Sequence, residues 1–135
     1  MIPSVGQSAT KSRQVTSQDV VAFADLTLDT NPVHLDNEYA STTIFGRRIA
    51  HGMFAAALVA AVLGTELPGP GCIYLSQETK FRAPVYIGDV IEAAVTVTGL
   101  SDSGRCTLST VVVNGDGVTV LSGTAVVLLP AEQDD

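Results

Sequence analysis

Polar residues dominate the chain up to Val15, a stretch suited to one edge strand, and the first periodic signal follows at Thr16-Ser17-Gln18-Asp19. There a hydroxyl precedes a carboxylate by three positions, the arrangement that satisfies the free amides at a helix start. Val20, Phe23, Ala24 and Leu28 then recur at helical spacing until Asn31-Pro32, where proline forces the residue before it out of the α-region. The pattern predicts a helix ending there and a turn over Asp29 to His34. A second helical stretch, from Gly52 to Leu63, is apolar on every side and rich in alanine, as in a helix buried all round. It is well short of the ~20 residues that span a bilayer. From Ile73 the pattern changes to strands, over residues 73–82, 90–100, 105–113 and 118–129. Val95 and Val97 alternate with Thr96 and Thr98, which gives the sheet one dry and one wet face. Gly88-Asp89, Ser101 to Gly104 and Asn114 to Gly117 are short turn segments of the kind that join antiparallel neighbours. The predicted architecture is therefore α+β, an antiparallel meander wrapped around a central apolar helix whose alanines permit close approach.

Composition narrows the function classes. A chain of 135 residues with 46% hydrophobic and 16% charged residues fits a single domain, 1–135, with a real core. Fourteen acidic against seven basic residues give a net charge of −7, which repels nucleic acid. Two cysteines, Cys72 and Cys106, are too few for a disulfide scaffold, and Met1-Ile2-Pro3 runs into polar residues unlike a signal peptide. The expectation is a cytoplasmic protein with free thiols and no membrane partner, its acidic tail from Ala131 to Asp135 frayed.

The sharpest chemical feature is Asp29-Thr30-Asn31-Pro32-Val33-His34. A carboxylate and an imidazole across a rigid Asn-Pro turn can face one cleft as a general acid/base pair, with Asn31 orienting a water or bracing the turn. The alternative is a turn-capping Asp29 and an ordinary surface His34. Gly52 also has two readings. A helix beginning there leaves free amides at its positive end, open to an oxyanion; equally, a glycine allows tight helix-to-sheet packing. His51 reads as a buried histidine bracing the loop. His34, His51, Cys72 and Cys106 lack the close pairs of structural zinc sites, Gly69-Pro70-Gly71 is a turn and not a phosphate loop, and no Gly-x-Ser-x-Gly elbow is present. Cofactor-free acid/base chemistry remains.

Asp-x-Asn-Pro-Val-His, then Arg48-Ile49-Ala50-His51-Gly52-Met53, then Phe81-Arg82-Ala83-Pro84-Val85-Tyr86-Ile87-Gly88-Asp89, occur in the order and spacing of the MaoC-type hydratases. The chain resembles their (R)-specific enoyl-CoA hydratases, above all the short members that supply polyhydroxyalkanoate synthesis, whose Leu-Pro-Gly-x-Gly-x-Ile-Tyr-Leu run matches Leu67 to Leu75. The resemblance implies a hot-dog fold, a homodimer, and hydration of trans-2-enoyl-CoA in fatty acid metabolism, with Asp29 and His34 catalytic. It implies coenzyme A as part of the substrate and no separate cofactor. Two positions depart from it: Leu28 stands where a glycine is common, and Ala60 where some relatives have serine. Rival readings are a dehydratase acting on acyl carrier protein, possible as a heterodimer half, and a non-catalytic acyl-CoA-binding module. Acidic carrier proteins suit this acidic chain poorly. Arg47 with Arg48, and Lys80 with Arg82 on one strand face, are the candidate contacts to coenzyme phosphates. Short acyl groups are expected, because the central helix offers no long groove.

Overall fold

The computed structural model describes residues 2–131, so the tail expected to fray lies, after Ala131, outside the described residues. The chain runs β1 (Ser8–Gln14), α1 (Ser17–Thr27), α2 (Pro32–Leu35), α3 (Asn37–Ser41), α4 (Gly52–Thr65), β2 (Ile73–Phe81), β3 (Val90–Leu100), β4 (Arg105–Asn114) and β5 (Thr119–Leu128). The capping box at Thr16 forms as the sequence predicts: Asp19 N–H donates to Thr16 Oγ1, and Thr16 N–H to Asp19 Oδ2, both at 3.1 Å. A side-chain hydrogen bond from Arg13 holds the Asp19 carboxyl down at about 2.

Helix α1 stops earlier than the pattern suggests, and Leu28 does not join its buried stripe. Leu28 is 84% exposed and caps the helix in the left-handed region, φ 67° and ψ 15°. Glycine occupies that conformation without a Cβ penalty. Leu28→Gly should raise stability by up to ~1 kcal/mol, relief of strain being partly offset by a more flexible unfolded chain; the chemical denaturation midpoint reads this directly. The predicted turn over Asp29 to His34 is in part helical. Asn31 Oδ1 accepts from Val33 N–H at 3.2 Å, and Pro32, with no N–H to satisfy, opens α2 as its first residue.

The sheet has five antiparallel strands in the order β1-β3-β4-β5-β2. Strands β3, β4 and β5 form the expected meander, but β2 lies on the far edge against β5, with Lys80 opposite Ser122 and Phe81 opposite Leu121. Gly88-Asp89 is thus not a hairpin between β2 and β3. Residues 82–89, stiffened by Pro84, cross between non-neighbouring strands. Gly88 N–H donates to Val15 O at 2.7 Å and Val15 N–H to Asp89 O at 2.8 Å, so the turn extends the β1 edge.

Helix α4 packs on the β1, β3 and β4 part of the sheet. Ala55, Val59, Val62 and Leu63 are buried there against Val95, Val97, Leu108 and Val112. The sheet does not enclose the helix, contrary to the all-round burial its composition suggests. Met53 and Ala57 are exposed, and Ala56 and Ala60 half-buried. The sheet twists away toward β2, and the alanine face is left looking across a gap at that edge strand.

Candidate active site

Asp29 follows the left-handed cap of α1, and its Oδ1 accepts from Asn31 N–H at 3.3 Å. His34 sits on α2, only 8% exposed. Its Nδ1 lies 2.8 Å from the carbonyl of Ile49. A carbonyl only accepts, so Nδ1 carries the proton and the Nε2 lone pair is left free. Burial, first, and the neighbouring His51 pull the His34 pKa below the usual histidine value; the Ile49 carbonyl and Asp29 act in the opposite direction. Burial and His51 both favour the neutral imidazole. Arg48 supports the same residue from outside, its Nε donating to the His34 carbonyl at 2.7 Å and its Nη1 to Ser17 Oγ at 3.0 Å.

His51 occupies the position before α4, without a side-chain cap to it, and is 3% exposed. Its ring stacks on His34 with centroids 3.8 Å apart, and Phe23 packs against it, tilted, at 4.9 Å. One donor atom from each of Asp29, His34 and His51 lies within 4.8 Å of the others. The two histidines, seventeen positions apart in the chain, are joined by the fold. Each ring has one nitrogen on a backbone carbonyl, which leaves one lone pair on each. The cluster suits a shared water and a proton.

Gly52 and Met53 open α4, so their amides have no acceptor within the helix. A Cβ at Gly52 would lie 2.8 Å from Cδ1 and 2.9 Å from Cε1 of Phe81, so the glycine also serves a close approach. A cavity of about 510 Å³ adjoins it, walled by Phe45, Phe81, Arg82, Pro84 and Val85. A second cavity, of about 610 Å³, holds Asp29 and follows the alanine face of α4 to Tyr74 and Gln77 on β2. Met53 borders both. The helix thus does present a groove, contrary to the expectation that it offers none.

The remaining candidates are spread out. Asn31 is spent on capping α2. Arg47 turns away from Arg48 to lie over the Tyr86 ring at 4.0 Å. Lys80 and Arg82 do share one shallow surface with Glu78 and Ser122; Arg82 bonds Ser122 Oγ through Nε at 3.0 Å and also borders the Gly52 cavity.

A five-stranded sheet packed on a central helix, with an aspartate and a histidine presented beside that helix's first turn, defines a hot-dog acid/base protein. The family model described as "MaoC like domain" matches residues 3–120, and the chain belongs to that family. Among solved structures it is similar to the (R)-hydratase from A. caviae involved in PHA biosynthesis, with a TM-score of 0.93 and 45% identity, over 95% of this chain and 98% of that one. The (R)-specific enoyl-CoA hydratase of Rhodospirillum rubrum is 48% identical over 93% of this chain and 88% of its own length. At lower identity, 35% over 94% of this chain and 78% of its own, stands a mitochondrial 3-hydroxyacyl-[acyl-carrier-protein] dehydratase of Solanum lycopersicum.

Proposed function

We propose that this protein is an (R)-specific enoyl-CoA hydratase, adding water reversibly to trans-2-enoyl-CoA. The observation that carries the reading is the buried His34 with its free Nε2 close to Asp29, which itself lines the cavity along the alanine face of α4, with Met53 at the head of that helix bordering this cavity and the one beside Gly52. Asp29 and His34 hold one water. His34 takes its proton as the oxygen bonds C3, the electrons of the double bond move onto the thioester oxygen, and the imidazolium beside the Asp29 carboxylate returns a proton to C2. The amides of Gly52 and Met53 face the oxygen as its charge grows. The acyl group runs along Ala56, Ala57 and Ala60. Tyr74 and Gln77, which bond each other, line the far end of this cavity, and their polar atoms support short acyl groups.

Coenzyme A, and not a carrier protein, is the proposed carrier, with Arg82 and Lys80 nearest the mouth of the Gly52 cavity. The higher identity to enoyl-CoA hydratases than to carrier-protein dehydratases supports this. The working form is a homodimer in the cytoplasm: the β2 edge is unpaired, and Ile73, Leu75 and Phe81 stand exposed along it beside Met53, an apolar edge of the kind that finds a partner. No described helix is long and apolar enough to cross a membrane. Loss of the conjugated enoyl absorbance of crotonyl-CoA on adding the purified protein tests the activity, and its absence rejects the reading.

Gly52→Val separates the two roles of that glycine. If the oxygen docks at the helix start, kcat falls by ~10², and the loss persists in a Phe81→Ala background, where the ring the new side chain would strike is gone. Recovery of turnover in that double variant assigns Gly52 to packing alone.

A further inference from the structure

His51 is almost completely buried, yet its polar contacts are few. Nε2 lies 2.9 Å from the backbone carbonyl of Asp29; the carbonyl accepts, so Nε2 carries the hydrogen. Nδ1 is buried with no hydrogen-bond partner, and the ring gives no side-chain cap to α4, the helix it precedes. A histidine whose only task was to brace the helix start would use Nδ1 there. This ring instead spends its one bond on the residue carrying the catalytic carboxylate and its face on the other half of the pair, 3.8 Å away. Phe23, itself packed on Phe54, keeps the ring from swinging off.

We propose that His51 is a positioning residue of the dyad, which fixes the main chain of Asp29 through Nε2–H and covers the face of His34 with its ring. The inference rests on the hydratase reading above. Asp29 stands on an otherwise exposed turn, where its local bonds are two long ones of 3.3 Å, its own N–H to Thr27 Oγ1 and Asn31 N–H to its Oδ1. Without the clamp the carboxylate drifts relative to the Nε2 that shares its water, and small displacements in such pairs reduce rate steeply. The ring also keeps water from His34. The ionisable groups around His34 are His51 at the head of α4, Asp29 after α1, and Arg48, whose guanidinium meets the His34 carbonyl. Burial is the largest cause of the lowered His34 pKa, and His51 adds to it. Removing the ring admits water and removes the lowering influence of His51. Both changes move the His34 pKa upward, toward ~6.5, and bring protonated, inactive base into the neutral range.

Three substitutions separate the clamp from the cover. His51→Phe keeps a ring and loses the N–H; His51→Gln keeps an amide N–H that reaches the Asp29 carbonyl and loses the ring; His51→Ala loses both. With only two histidines in the chain, proton NMR follows His34 alone in each variant. In His51→Phe, kcat for crotonyl-CoA should fall by ~10² with KM unchanged and the His34 titration still low. His51→Gln should recover most of kcat. His51→Ala should raise the His34 titration midpoint and carry the acid limb of kcat up with it. Equal losses of rate in all three, in proportion to folded protein, overturn the proposal, as does a His34 titration in His51→Ala that coincides with wild type. A wild-type protein that does not hydrate crotonyl-CoA rejects the hydratase reading instead, and the NMR titrations still decide whether His51 covers His34.

Discussion

Asp29→Asn and His34→Gln should each lower kcat for crotonyl-CoA hydration by ~10² to 10⁴, the usual contribution of a positioned acid/base group, with the chain still folded. Asp29 is exposed and its carboxylate accepts one long bond, which the asparagine oxygen can keep. His34 needs more care, because it is buried and Nδ1 holds the Ile49 carbonyl. Glutamine places its amide nearer the Nε2 position, so that bond is lost at a cost of ~1 kcal/mol. His34→Asn places an amide where Nδ1 stood and is the cleaner control for folding. Wild-type rate in either Asp29→Asn or His34→Asn removes that residue from the mechanism. The pH profile gives a second reading. His34 works unprotonated and its pKa is lowered, so the acid limb of kcat lies below ~6.5 in the wild type. Asp29 favours the protonated imidazole, so the residual activity of Asp29→Asn should have its acid limb at still lower pH. The same shift makes stability fall as pH drops through ~6.5 toward the His34 pKa, because the unfolded chain binds that proton first.

The local elements were legible because local rules govern them. Thr16 and Asp19 announce a capping box and form one. The alternation in β3 is the alternation of its burial, with Val95 and Val97 inside and Thr98 outside. The Asn-Pro turn between Asp29 and His34 is likewise a matter of adjacent residues. Strand order was not legible. β2 and β3 follow each other with a glycine and an aspartate between them, and nothing local tells a hairpin from the end of a crossover. The sheet resolves this by its edges, giving β2 to β5 and the Gly88-Asp89 turn to β1.

At the site, the closeness of Asp29 and His34 could be read from spacing and the contacts around them could not. His51 on His34, Arg48 on the His34 carbonyl, and Arg47 over Tyr86 all join segments that only tertiary packing brings together. Arg47 and Arg48 illustrate the limit: adjacent in sequence, they read as one cationic pair, yet their guanidiniums work on different parts of the fold. The uncovered side of α4 was missed for a related reason. An apolar helix states that it will be covered, without stating whether its own sheet does the covering.

Gly123→Ala should be the most damaging single methyl in the protein. Gly123 lies in the middle of β5, opposite Thr79 on β2 and Thr110 on β4, and a Cβ there would sit 1.9 Å from the carbonyl oxygen of Glu78 and 3.0 Å from its carbon and from Thr79 Cα. All three atoms are backbone, so no rotamer change relieves the clash. β2 would have to withdraw, and within the chain it has no second neighbour to hold it. Its retreat breaks the ladder to β5 and displaces Gln77, which spans the Glu78 carbonyl and Thr110 Oγ1, together with Phe81 beside Gly52. Both cavities therefore change shape with one substitution. We expect a loss above ~3 kcal/mol, hydratase activity falling at temperatures where the rest of the chain stays folded, and hydrogen-exchange protection lost first across residues 73–81. Gly64→Ala is the matched control: it sits in α4 with nothing within 4 Å of the added carbon and should gain ~0.5 to 1 kcal/mol. A Gly123→Ala protein within ~1 kcal/mol of wild type would mean that β2 yields at little cost, and that the acyl cavity it walls is not held rigid by the β5 pairing.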